Sequence, residues 1–310
     1  MGSIVLSNMF TGDLERAILE ALAYSDIFEY PLRLEELQRY LPMAADLEQL
    51  SSALNKLGGK VGKQDDVYFL IGREEIVDIR RQREARSRAL LPRAMQYGCI
   101  LGSLPFIRMV ALTGSLAVLN VSKAADFDYM LVTKKGRVWM ARVFALLLNR
   151  SVKLFGHTLC PNLIVSEQAL EWSLHDLYSA RELCQMLPVT GLDVYRELME
   201  VNEWAREFLP NSSHDFSREH RATKVATTVQ HLIELPLRNK LGDKLEAWEM
   251  NRKIAKFSKQ AGFGEETIFT ADVCQGNFHH HRKWTRDVFE KRLIGIESPL
   301  PLGEGEGEGR

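Results

Sequence analysis

The stretch from Leu112 to Thr133, LTGSLAVLNVSKAADFDYMLVT, constrains this chain more than any other. The apolar run Ile107–Leu112 reads as a buried strand that ends in Thr113-Gly114-Ser115 and turns into a short helix through Leu116–Leu119. About ten residues later Asp126 and Asp128 flank Phe127 and open a second strand, FDYMLVT. Residues i and i+2 of a strand face the same way, so both carboxylates project from one face, and Phe127 and Tyr129 from the other. Two carboxylates this close repel and raise one pKa unless a cation sits between them. Oxygen-only ligands suit Mg²⁺ (or Mn²⁺), and Mg²⁺ binds through one or two carboxylates plus substrate phosphates. Gly114 lets the backbone approach a bulky anion, and Ser115 adds a hydroxyl and a helix N-terminal N–H. A triphosphate fits there, against the positive end of the helix dipole. Metal-assisted phosphoryl or nucleotidyl transfer is the expected chemistry.

Around this segment the chain reads as α+β. Residues 1–72 hold helical spacing over Leu14–Ala21, with Thr11 or Asp13 as cap. A second short helix follows on Leu34, Leu37 and Leu41, then a third capped by Asp46, then a polar turn and the strand Val67–Leu70. Three helices and a hairpin are the order of a winged helix. Its third helix opens with Asp46 and Glu48, which repel a phosphate backbone, so docking is expected and DNA binding is not. Residues 73–106 form a connecting helix whose segment Arg80–Arg88 carries five arginines. It is the best basic patch for RNA or a nucleotide, although Glu74, Glu75, Asp78 and Glu84 are local partners for it. Residues 107–191 alternate strand and helix. Residues 192–297 read as a helical domain, with segments over 193–208, 217–239, 244–260 and 282–293. The Gly/Pro-rich tail 298–310 is expected to be disordered.

Forty basic against forty-one acidic side chains give a net charge of −1, so no bulk field draws the chain to DNA or membrane. The N-terminus lacks the basic start and long apolar run of a signal peptide, and four scattered cysteines make free thiols the expectation. A cytoplasmic protein without a membrane partner is expected.

The pattern Gly114-Ser115, a gap, then Asp126-Phe127-Asp128-Tyr129 resembles the nucleotidyltransferases of the DNA polymerase beta superfamily, and more narrowly the minimal bacterial ones. YSDIFEYPL, DFDYMLVTKKGRVW and LCPNLIVSE, in that order, resemble a set of bacterial nucleotidyltransferase-domain proteins. The resemblance implies a polymerase-beta-like core over 107–191, a small mixed sheet with flanking helices, together with a nucleoside triphosphate donor and two divalent ions. Gly114 and Ser115 become the triphosphate turn, with Asp126 and Asp128 as catalytic metal ligands. It also implies a third carboxylate on the next core strand, where this chain has Asn162. Asn can offer an oxygen but cannot take a proton; Glu167 and His157 are the substitutes in reach of sequence reasoning.

Lys123, in the loop before Asp126, is placed to touch the γ-phosphate. Lys134, Lys135 and Arg137 read as a solvated turn, and His279-His280-His281 as an exposed helix start, since consecutive histidines cannot face one point. The reading is an NTP-dependent transferase, with a small-molecule hydroxyl as first acceptor and tRNA or a protein side chain after it. A weakly active nucleotide-binding scaffold, or an antitoxin-like transferase acting on a protein, is the alternative.

Overall fold

The computed structural model describes residues 14–123, 126–212, 227–264 and 266–297. The tail at 298–310, the caps Thr11 and Asp13, and residues 217–226 of the expected helix lie outside them. The chain divides into two compact units, residues 1–77 with 282–310, and residues 78–281.

The first unit runs α1 (Leu14–Asp26), β1 (Leu32–Arg33), α2 (Leu34–Arg39), α3 (Leu47–Lys56), β2 (Val61–Gln64) and β3 (Val67–Leu70). Its strands form an antiparallel sheet in the order β1-β3-β2. Asp46 caps α3 as expected: its carboxylate accepts the Gln49 N–H at 2.7 Å, and the Gln49 side chain accepts the Asp46 N–H at 3.0 Å. The last helix (His281–Glu297) joins this unit from Arg282 onward. There Arg292 and Arg73 grip the buried Asp26 at 2.8 and 2.7 Å.

Helix α4 (Glu75–Gly102), with Pro92 inside it, leads into the second unit. That unit is built on one mixed six-stranded sheet in the order β7-β4-β5-β6-β9-β8. The strands are β4 (Ile107–Leu112), β5 (Phe127–Thr133), β6 (Leu159–Ser166), β7 (Leu187–Thr190), β8 (Thr267–Phe269) and β9 (Val273–Gly276). Only β5 and β6 run parallel, joined by α6 (Val138–Lys153) as a crossover. Period-two alternation splits β5 between two cores. Phe127, Tyr129 and Leu131 pack with residues of α4 and α6. Met130 and Val132 pack on the other side with α7 (Leu177–Gln185), α8 (Leu192–Val201) and α9 (Ala205–Phe208).

The chain beyond residue 192 is not wholly helical, as its periodicity led us to expect. β8 and β9 extend the sheet from within it. These strands have three and four residues, too few for alternation to register. The expected helix over 193–208 is also broken, at Asn202. The buried amide of Asn202 donates to the Leu170 and Leu198 carbonyls and accepts from Trp172 N–H and Trp204 Nε1–H. All of its bonds bind the break in place.

The remaining helices are α10 (Thr227–Glu234) and α11 (Lys240–Phe257), linked by a 3-10 turn at Leu235–Leu237. Both attach to the sheet layer through buried carboxylates. Glu246 of α11 accepts the Trp139 and Met140 N–H groups at the start of α6, at 2.7 and 2.8 Å. Fully buried Glu234 of α10 accepts the Phe106 N–H at 2.7 Å, the Arg108 fork at 2.9 and 3.0 Å, and Arg238 at 2.6 Å. Burial opposes ionisation of Glu234, but these donors outweigh it and hold its pKa at about 2. A carboxylate held that low stabilises the fold above its ordinary pKa and loses the contribution as pH falls toward 2. We therefore expect Glu234→Ala to cost about 3–5 kcal/mol at pH 7, since it strands two guanidinium groups. Urea unfolding midpoints should show the penalty shrinking steadily below pH 4.

Candidate functional site

The carboxyl end of β4, the amino ends of β5 and β6, and α5 (Gly114–Ala117) meet at one edge of the sheet. There the Thr113 N–H bonds the Asp128 carbonyl at 2.9 Å, so the Gly-Ser turn lies directly beside Asp128. Gly114 has a φ of +65°, and a Cβ on it would fall 2.5 Å from Asp128 Oδ2. Only glycine meets both conditions at no cost. α5 is a single turn, so the expected helix dipole contributes little; the turn offers backbone N–H groups and the exposed Ser115 hydroxyl instead.

Helix α4 braces this turn from behind. Ser87 Oγ accepts the Val121 N–H at 3.1 Å, Arg86 donates to the Val121 carbonyl at 3.2 Å, and Arg83 reaches Asn120 Oδ1 at 3.4 Å. Asn120 N–H in turn bonds the Ser115 carbonyl at 2.8 Å. Two other arginines of the run have the local partners the sequence offered: Arg81 pairs with Asp78, and Arg88 with Glu84.

Asn162 reaches the site through a β-bulge. Tyr129 pairs with Pro161 and Met130 with Leu163, which leaves Asn162 as an extra residue in β6. Its Nδ2 donates to Asp128 Oδ1 at 2.8 Å, and its Oδ1 accepts from Cys160 Sγ at 2.8 Å. Pro161 is tolerated there because bulges are among the few places a sheet accepts proline. Asp126 is exposed just ahead of β5, and Lys123 is exposed in the preceding loop.

Asp128 is a strained choice of residue on energetic grounds. Burial raises its pKa to about 6, and the charge of Asp126 adds to the rise; the Asn162 and Cys160 hydrogen bonds only partly offset it. The same burial and the two aspartates push the Cys160 thiol up to about 12, so it is inert as a nucleophile. The structure adds one residue that sequence reasoning missed. Glu182 of α7 is half-buried and carried by the helix that packs on the Asp128 side of the sheet and touches α5. Burial, with the Asp128 charge adding to it, lifts its pKa to about 7. Nothing in its local sequence separates it from an ordinary surface glutamate of an amphipathic helix.

The other candidates lie elsewhere. His157 stacks on Phe127 at 5.3 Å, on the face of β5 opposite Asp128, and so is no substitute base. Glu167 follows the far end of β6 and accepts the Lys135 N–H. Lys134 bonds the Phe106 carbonyl through its own N–H, and Arg137 bonds the Leu237 carbonyl and Asp243. His281 opens the last helix, with its ring 5.9 Å from that of His279. None of the four cysteines forms a disulfide.

The donor set is of the oxygen type that a hard cation takes. Asp126 and Asp128 are two carboxylates two residues apart, and glycine at position 114 keeps a side chain out of the space beside Asp128 Oδ2. Among the described residues, however, no cluster of three or more His, Cys, Asp or Glu is arranged to hold a metal ion. No family model matches the chain, and no curated protein or solved structure matches it.

The Asp128 shift carries a testable sign. A carboxyl whose pKa is higher folded than unfolded costs stability as pH rises from its ordinary 3.8 to about 6. Asp128→Asn should therefore stabilise the protein above pH 7, by at most about 3 kcal/mol. The advantage should vanish below pH 4, as read from urea midpoints across that range; a gain independent of pH would contradict the assignment.

Proposed function

We propose that the second unit is a nucleotidyltransferase that moves a nucleoside monophosphate from an NTP to an acceptor hydroxyl. The observation that carries this reading is the half-buried Asp128 carboxylate pressed against Gly114, with its pKa raised, where a cation and a triphosphate would relieve it together. A polymerase-beta-like core is the fold reading that agrees with it, and the order of helices and strands in the first unit agrees with a winged helix used for docking.

In this reading Asp126 and Asp128 would hold Mg²⁺, and the Gly114-Ser115 turn would cradle the β- and γ-phosphates, with Lys123 in reach of the γ. The ion would supply charge neutralisation of the attacking and leaving oxygens. The acceptor oxygen bonds the α-phosphorus, the bond from that phosphorus to the bridging oxygen breaks, and pyrophosphate leaves with the electron pair. Asn162 orients Asp128 but cannot accept the hydroxyl proton. Glu182, with a pKa near neutrality on the same side of the sheet, takes it.

Incubation with α- and γ-labelled NTP and an extract of small molecules tests this reading. Label from the α position should move to a new species while γ label appears in pyrophosphate. Asp128→Asn should abolish the transfer. Glu182→Gln should slow it by roughly 100-fold or more, with NTP binding retained. NTP binding without any transfer would favour the alternative, a nucleotide-binding scaffold, for which Asn162 in the third acidic position is the supporting observation. Transfer of the γ label to the acceptor would overturn the reading.

A further inference from the structure

The surface formed by α10, the 3-10 turn and α11 gathers large exposed apolar side chains along one short segment. Leu232, Ile233, Leu235, Leu241, Leu245 and Trp248 are all exposed, Leu232 at 62% and Trp248 at 61%. On α11, Leu241, Leu245 and Trp248 recur at i, i+4 and i+7 and so share one face. Scattered apolar side chains are ordinary on a surface, but six large ones along one short segment mark an interaction site.

The charges of this segment are sorted as sharply. Glu234, Glu246 and Glu249 are buried and bonded, to Arg108 and Arg238, to the start of α6, and to Arg252. Asp243 is exposed but paired with Arg137 at 2.7 Å. The exposed layer carries Lys240 and Lys244 beside Arg238 and Arg252, whose charges Glu234 and Glu249 answer, and the Arg252 guanidinium lies 5.1 Å from the Trp248 ring centre. The outward face is therefore apolar with surplus positive charge.

That pairing selects among occupants. A second copy of the chain would set Arg238, Lys240 and Lys244 near their own kind, at a repulsive cost. A nucleic acid would answer the cations and leave the leucines and tryptophan unburied. A bilayer with anionic headgroups answers both: apolar side chains and tryptophan enter the headgroup boundary while lysines meet phosphate. No described helix is long and apolar enough to cross a membrane, so the contact is peripheral. The net charge of −1 argued against a membrane partner only as an average over the whole chain; here three glutamates are turned inward and Asp243 is paired with Arg137.

We propose that the α10–α11 face docks the second unit onto an anionic lipid surface. The full chain should co-sediment with phosphatidylcholine vesicles containing roughly 30% phosphatidylglycerol, should not with phosphatidylcholine alone, and should be released by salt. Leu241→Ser/Trp248→Ala should weaken the partition by at least about tenfold. Lys240→Glu/Lys244→Glu should weaken it on anionic vesicles too. All four positions are exposed, so circular dichroism should show the fold unchanged. Failure of the folded wild type to sediment, or sedimentation unaffected by both variants, overturns the proposal. So does a dimer, or a complex with an acidic amphipathic peptide, that depends on Trp248 where vesicle binding is absent.

Discussion

A carboxylate turned toward a buried strand end, with one amide and one thiol for company, is an expensive thing to fold. Asp128 is such a group, and the surrounding structure is arranged so that it stays where it is. Glycine at position 114 is required because any Cβ would occupy the space of Asp128 Oδ2. The bulge in β6 exists at the one place where an extra residue brings an amide to Asp128 Oδ1. The neighbouring thiol is kept protonated by the same field. Each feature limits the cost without removing it, which is the behaviour expected of a site that trades stability for a ligand.

The supports extend outward in layers. The Gly-Ser turn is held through Asn120 and Val121 by Ser87, Arg83 and Arg86 of α4. The strand that leads into it starts at Ile107, whose neighbours Phe106 and Arg108 are both held by Glu234. Glu246 performs the equivalent service for α6, the crossover that sets β6 parallel to β5. Buried glutamates thus fix α10 and α11 to the sheet, and their inward orientation leaves the outer face of these helices apolar and basic.

Much of the core was legible in the sequence because its signals are local. The spacing of Asp126 and Asp128, the Gly-Ser turn after an apolar strand, and the Asp46 cap each depend on a few neighbouring residues. What escaped depends on partners distant in the chain. Nothing near Asn162 announces a bulge, which is a difference in register with β5. Glu182 is a surface glutamate by every local criterion and comes under the influence of the Asp128 charge only through the packing of α7. β8 and β9 are strands because β6 offers an edge, and their few residues carry no period of their own. The arginines of α4 look like a nucleic-acid patch until the loop they hold is placed beside them.

Under the proposed function, Asp126 and Asp128 would form part of a cation site that nucleotide phosphates complete. Calorimetric titration of the protein with Mg²⁺ alone, with each NTP in EDTA, and with Mg²⁺ and NTP together tests it directly. Tight binding only in the third titration, for at least one NTP, and its loss in Asp128→Asn, is the predicted result. Equal binding of an NTP in EDTA, or a third titration unchanged by Asp128→Asn, would contradict the account.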